Sequence, residues 1–183
     1  MEYVDLCLIH WPIKLIKAAP LAWPKENEFL PLDLKSTWEG MEKCVEMGFT
    51  KAIGISNFSS KKIEDLLSHA RIPPAVNQVE MHPMWQQKKL RECCSKHNIH
   101  VLLRWGIEQG VSVPPKSYNR GRISENFPIF DWCLNPEDHD KIGKIEQGKI
   151  LRGEEFVNGT TSPYKSVQEL WDGERCKILQ SHM

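Results

Sequence analysis

The chain has 183 residues, with 24 basic and 24 acidic side chains, so its formal net charge is zero. That balance gives no electrostatic reason to expect nucleic acid or an acidic membrane as partner. No apolar run approaches the roughly 20 residues that span a bilayer, and Met1 to His10 lacks the basic start and cleavage site of a secretory signal.

Tyr3 to His10 (YVDLCLIH) is apolar and favours a strand, and Trp11-Pro12 breaks it. Residues 13–32 read as a long loop rich in proline. Asp33 is a candidate N-cap for a helix whose inner face is Leu34, Trp38, Met41 and Val45. Gly48 stands where a glycine stops a helix. Lys51 to Asn57 is a second strand, and Ser59 or Ser60 caps a second helix with Ile63, Leu66, Leu67 and Ala70 facing in. Ala75 to Glu80 is a third strand, and residues 86–97 form a helix with Leu90, Cys93 and Cys94 facing in. Ile99 to Arg104 reads as a fourth strand or a junction, and Ser112 to Ser117 as a fifth strand. Asn119 to Phe130 is helical, and Asn135-Pro136-Glu137-Asp138 is a strong helix start. After about Gly148 the chain turns polar and loop-like.

Strand and helix alternate at spacings of about 25 residues, which means βα units with parallel strands. Open doubly wound sheets and (β/α)8 barrels both fit. No GxGxxG follows a strand, and that tilts the choice toward a barrel. Six cysteines lack any CxxC pair, so they read as reduced thiols of a cytoplasmic protein. His97-x-x-His100 has no paired cysteine or carboxylate, and no metal site is expected.

In a parallel barrel, chemistry sits at the C-terminal ends of the strands. The polar residues there are His10, Ser56-Asn57, Asn77-Gln78-Glu80 and Lys116-Ser117. Each also has a plain structural use: a surface histidine, a helix cap, a solvated lysine. On the residues alone, an acid/base pair of His10 and Glu80 is one further possibility.

At LIHWP (Leu8 to Pro12) the chain begins to resemble a known family. GISNF (Gly54 to Phe58), NQVEMHP (Asn77 to Pro83), LRWGIEQGVSVPPKSYN (Leu103 to Asn119) and RISENFPIFDW (Arg122 to Trp132) follow in order. Together these blocks resemble the aldo-keto reductases. The stretch TTSPYKSVQELWDGE (Thr160 to Glu174) is similar to the plant group that includes the deoxymugineic acid synthases and the codeinone and chalcone reductases. The resemblance implies a partial (β/α)8 barrel with about five of eight strands, in a single incomplete domain over residues 1–183 with a C-terminal tail from 149. It implies NADP(H) as cofactor and a small aldehyde or ketone as substrate. No nucleic acid or membrane partner and a monomeric state are expected.

Carried onto this chain, the resemblance makes His10 the active-site histidine that orients the substrate carbonyl, and Trp11 a wall of the substrate pocket. Ser56, Asn57 and Gln78 match residues that bind the nicotinamide carboxamide. Lys116, Ser117, Tyr118, Arg122, Glu125 and Asn126 match the adenosine end, with Lys116 and Arg122 on the 2′-phosphate. The family's catalytic set is Asp, Tyr, Lys and His. Only the His is matched here, which implies impaired turnover. His100-Val101 passes directly into LLRWGIEQG, so the Ser-x-Tyr-Ser-Pro segment of the family's seventh strand is expected to be missing. A partial barrel that binds NADP(H) or a protein without catalysis is the alternative.

Overall fold

The computed structural model describes residues 2–17, 24–97, 100–101, 107, 120–125 and 135–174. Four parallel strands form its main sheet: β1 (Val4–Ile9), β4 (Thr50–Ser56), β5 (Val76–Gln78) and β6 (His100–Val101), in that spatial order. The register pairs Ile9 with Ile55, Ile55 with Asn77, and Asn77 with Val101. Helices α1 (Leu34–Glu46), α2 (Ser60–Leu67) and α3 (Lys88–Lys96) connect the strands. The expected fifth strand at 112–117 lies outside the described residues.

The strand pattern explains the layering. Ile53 and Ile55 of β4 point to one face and enter a core with Trp38, Phe58, Ile63, Leu66, Leu90 and Cys94. Gly54, between them, faces the other way. A Cβ on Gly54 would sit 2.7 Å from Leu8 Cδ2 and 2.8 Å from the Val76 carbonyl oxygen, so β1, β4 and β5 come together there only around a bare backbone.

Local signals place the helices. The Asp33 carboxylate accepts from Ser36 N at 3.0 Å, and Ser59, not Ser60, caps α2 by accepting from Lys62 N at 3.3 Å. Trp38 Nε1 donates to the Ile72 carbonyl at 3.0 Å. One turn further along α1, the buried Glu42 carboxylate accepts from Arg71 N (2.7 Å), Ile72 N (2.9 Å) and Arg71 Nε (2.9 Å), fixing the loop that leads into β5. Burial works to raise the Glu42 pKa, but those donors outweigh it and hold the group below its ordinary value. Burial pushes the Cys94 thiol up to about 12, so it serves as a small apolar core residue.

Two segments carry more structure than their composition suggests. Within 13–32, β2 (Lys14–Leu15) and β3 (Phe29–Leu30) pair antiparallel, and a 3-10 turn at Glu26–Glu28 precedes β3. Downstream, α4 (Arg120–Glu125) falls within the expected helix, and α5 (Pro136–Gly143) starts at the Asn135 cap. The stretch after Gly148 holds a 3-10 turn (Glu154–Phe156) and a short helix, α6 (Val167–Leu170). Phe156, Leu170 and Trp171 form a second core there, against Trp11, Ile13, Val157, Tyr164 and Val167.

The two kinds of glycine give opposite expectations. Gly54→Ala should destabilise the chain by about 1–3 kcal/mol through overpacking. Gly40→Ala on α1, with nothing within 4 Å of the new methyl, should stabilise it by about 0.5–1 kcal/mol. Urea unfolding of the two variants against the parent protein checks both signs.

Candidate functional site

His10, Ser56-Asn57 and Gln78 end three adjacent parallel strands. Asn57 joins them. Its backbone N–H donates to the Gln78 carbonyl at 3.0 Å. Its Nδ2 donates to the His10 carbonyl at 3.0 Å and to Ser56 Oγ at 3.2 Å. Ser56 Oγ in turn donates to the Gln78 carbonyl at 2.6 Å. Asn57 adopts a left-handed backbone with φ of 62°, a conformation that asparagine tolerates better than most residues. Neither Ser56 nor Asn57 caps α2, since Ser59 fills that role. The fully buried Asn77 braces the next residue: its Nδ2 donates to the Phe58 carbonyl at 2.9 Å, and its Oδ1 accepts from Phe58 N at 3.4 Å.

His10 is exposed and Trp11 half-buried. The Trp11 ring lies 4.6 Å from Phe156 and meets Trp171 edge-on at 5.8 Å. The C-terminal segment therefore lies beside the loop that carries His10. Tyr164 strengthens the contact by donating its hydroxyl to the Pro12 carbonyl at 2.9 Å.

The same segment reaches the other two strand ends. Asp172 forms an ion pair with Lys62 at 2.5 Å and accepts from the Ser59 hydroxyl. Lys62 Nζ also donates to the Leu170 carbonyl at 2.7 Å. Burial would raise the Asp172 pKa, but Lys62 and Ser59 outweigh it and lower it. After β5, Glu80 accepts from Ile150 N at 2.8 Å and from Leu151 N at 2.7 Å, and its Oε1 lies 2.8 Å from His82 Nε2. Both Glu80 oxygens are therefore engaged with the tail. Lys149 is buried, with Nζ 3.4 Å from the Trp171 ring centre and 5.6 Å from that of Trp85.

A Tyr, a Lys and an Asp thus cluster at Tyr164, Lys62 and Asp172, but their geometry is that of a tail anchor. Lys62 Nζ lies over the Tyr164 ring, 4.8 Å from its centre, and the hydroxyl proton goes to a backbone carbonyl. Burial pushes the Tyr164 pKa up, the wrong direction for a proton donor at neutral pH.

Lys116, Ser117, Tyr118 and Asn126 lie outside the described residues. Arg122 and Glu125 fall on α4. Among the described residues, no group of three or more His, Cys, Asp or Glu side chains could hold a metal, and no helix is long and apolar enough to cross a membrane.

Residues 1–103 match the model of the aldo/keto reductase family. This chain belongs to the aldo-keto reductase family. It is 43% identical over 212 residues to aldo-keto reductase family 4 member C11 of Arabidopsis thaliana, a match covering 95% of this chain and 67% of the relative. It is 42% identical over 213 residues to deoxymugineic acid synthase 1 of Zea mays, with the same shares covered. The aldose reductase structure from Schistosoma japonicum superimposes with a TM-score of 0.80 at 28% identity, over 91% of this chain and 66% of that one. The sheet and its helices are therefore part of a (β/α)8 barrel. The chain spans about two thirds of the length of these relatives. Each matched stretch in the curated relatives is longer than the whole 183-residue chain, so those aldo-keto reductases carry residues inside the matched span that this one lacks. The family model's match stops at residue 103, next to the Val101 junction in the sequence.

The tail anchors were not legible as site residues. Tyr164, Lys62 and Asp172 are ordinary polar residues in sequence, and Glu80, visible at a strand end, gave no sign of its tail partners. The one local hint is Asp172-Gly173 after an apolar helix end, a turn signal.

Glu42 and Asp172 both sit below their ordinary values of 4.5 and 3.8 in the folded chain. The unfolded chain therefore binds more protons in acid. Their contribution is complete above about pH 5 and is lost as pH falls through the folded-state values. The urea midpoint should drop in that window, and Glu42→Gln should flatten the drop while lowering stability at pH 7 by about 1–3 kcal/mol.

Proposed function

We propose that this chain binds NADP(H) across the C-terminal ends of its parallel strands and acts on small aldehydes and ketones, reducing them to alcohols at an impaired rate. The observation that carries this reading is the Asn57 junction. Ser56, Asn57 and Gln78 bring hydroxyl and amide groups together at neighbouring strand ends. A nicotinamide carboxamide offers one acceptor and two donors; the Ser56 hydroxyl is spent on the Gln78 carbonyl, so the Gln78 side-chain amide is the donor left to meet it. Asn57 spends its Nδ2 inside the protein, which leaves Oδ1 as the acceptor for a carboxamide N–H. The residues present therefore fit the nicotinamide end of the cofactor. Arg122 and Lys116 would hold the 2′-phosphate, a contact suited to a guanidinium fork.

When bound, the cofactor supplies the hydride. The chain's own part is to orient. His10, exposed at the end of β1, points a carbonyl oxygen through an imidazole N–H, and Trp11 limits one side of the pocket. Losing a positioned general acid typically lowers a rate by about 10²- to 10⁴-fold. No Asp, Tyr or Lys of this sequence matches the family's other catalytic positions, so binding should outlast turnover.

A second reading, a non-catalytic partial barrel that binds NADP(H) or a protein, is favoured by Tyr164, whose hydroxyl is committed to Pro12. One titration series separates the readings. NADPH fluorescence should saturate with the parent chain and weaken at least about tenfold with Arg122→Ala. Slow aldehyde reduction abolished by His10→Gln supports the enzyme reading. Saturable binding without turnover supports the second reading, and a folded chain that takes no NADPH sinks both cofactor readings.

A further inference from the structure

The C-terminal segment touches the loops beyond β1, β4 and β5. Tyr164 holds Pro12 beyond β1, Asp172 and Glu174 hold the start of α2 beyond β4, and Ile150 and Leu151 are held by Glu80 beyond β5. The contact beyond β4 is the most consequential. Ser59 lies two residues after Asn57, and its hydroxyl is fixed by Asp172. Ser60 N donates to Glu174 Oε1 at 2.8 Å. Between these points Phe58 is held by Asn77, and Asn57 by the Gln78 carbonyl. Every residue from 57 to 60 thus has an external hold, and the last two holds come from the tail.

We propose that Asp172 is a positioning residue, whose carboxylate, through Ser59 and Lys62, fixes the left-handed turn at Asn57 and hence the direction of the amide offered to a nicotinamide-type ligand. The ligand half of this rests on the NADP(H) reading above; the turn half stands on geometry alone. Asp172 acts at a distance from the amide. Its own partners are Ser59, Lys62 and, at 3.7 Å, Lys61. Lys62 closes the circuit by also binding the Leu170 carbonyl, so the first turn of α2 and the tail move as one unit.

Asp172→Asn is the clean test. Asp172 itself has a left-handed backbone, with φ of 53°, which asparagine also adopts, so the substitution removes the charge and keeps the turn. Amide hydrogen exchange of the full chain should speed up at least about tenfold at residues 57–60, with β5 and α1 unchanged. NADPH affinity should fall by about the same factor. Glu154→Gln, which breaks the exposed tail pair with Arg152, should change neither readout. Unchanged exchange at 57–60 overturns the proposal. So does a rise spread equally over α1 and β5, which would make Asp172 a general stabiliser. Faster exchange with unaltered NADPH affinity overturns the link to the ligand. If the parent chain takes no NADPH, the site reading fails, and the exchange pattern alone still decides the turn.

Discussion

The backbone and side-chain amides of Asn57 reach two neighbouring strands at once, the Gln78 carbonyl on one side and the His10 carbonyl on the other. The ladder pairs Ile9, the last residue of β1, with Ile55, and Ser56 with Gln78, the last residues of β4 and β5, but the register stops there. Asn57 carries the alignment one residue beyond the strands, into the loops. Its cost is a backbone conformation that few residues accept, and this explains why asparagine stands there. Strand pairing places Ser56 and Gln78, and the junction ties the His10 carbonyl to them.

Around the junction, charge is used inside the protein in a consistent way. Glu42 and Asp172 are anions held by several donors, in places where one partner would not offset desolvation. Each joins a helix to a segment distant in sequence. Lys149 follows the same logic with an aromatic partner, its cation lying on the face of Trp171. These groups specify which loop lies where. The apolar cores, led by Trp38, Ile53 and Ile55 under the helices and by Phe156 and Trp171 in the tail, supply the bulk of the driving force.

Sequence reading recovered what periodicity and capping encode. The faces of α1, α2 and α3, the Asp33 and Asn135 caps, and the alternation of strand and helix all follow from patterns local to a few turns. The pairing of Lys14–Leu15 with Phe29–Leu30 was hidden, because two-residue strands leave no alternation to detect. The position of Ser56-Asn57 at a strand end was visible, but its bonding was not. The Ser59 cap two residues later makes the stretch look like ordinary helix initiation. The tail contacts were invisible for a different reason: the hydrogen bond from the Ser59 hydroxyl to the Asp172 carboxylate spans 113 residues, and no window on the sequence registers it. The likeness to aldo-keto reductases supplied the roles that single residues could not declare.

The tail also has a bearing on how this chain comes into being. Its anchoring partners are made early: Pro12, Lys62 and Glu80 precede their tail partners by 152, 110 and about 70 residues. On a ribosome adding roughly 5–20 residues per second, the sheet, complete at Val101, is made roughly 4–14 seconds before Asp172. During that interval the first turn of α2 lacks its anion and Trp11 lacks its aromatic neighbours.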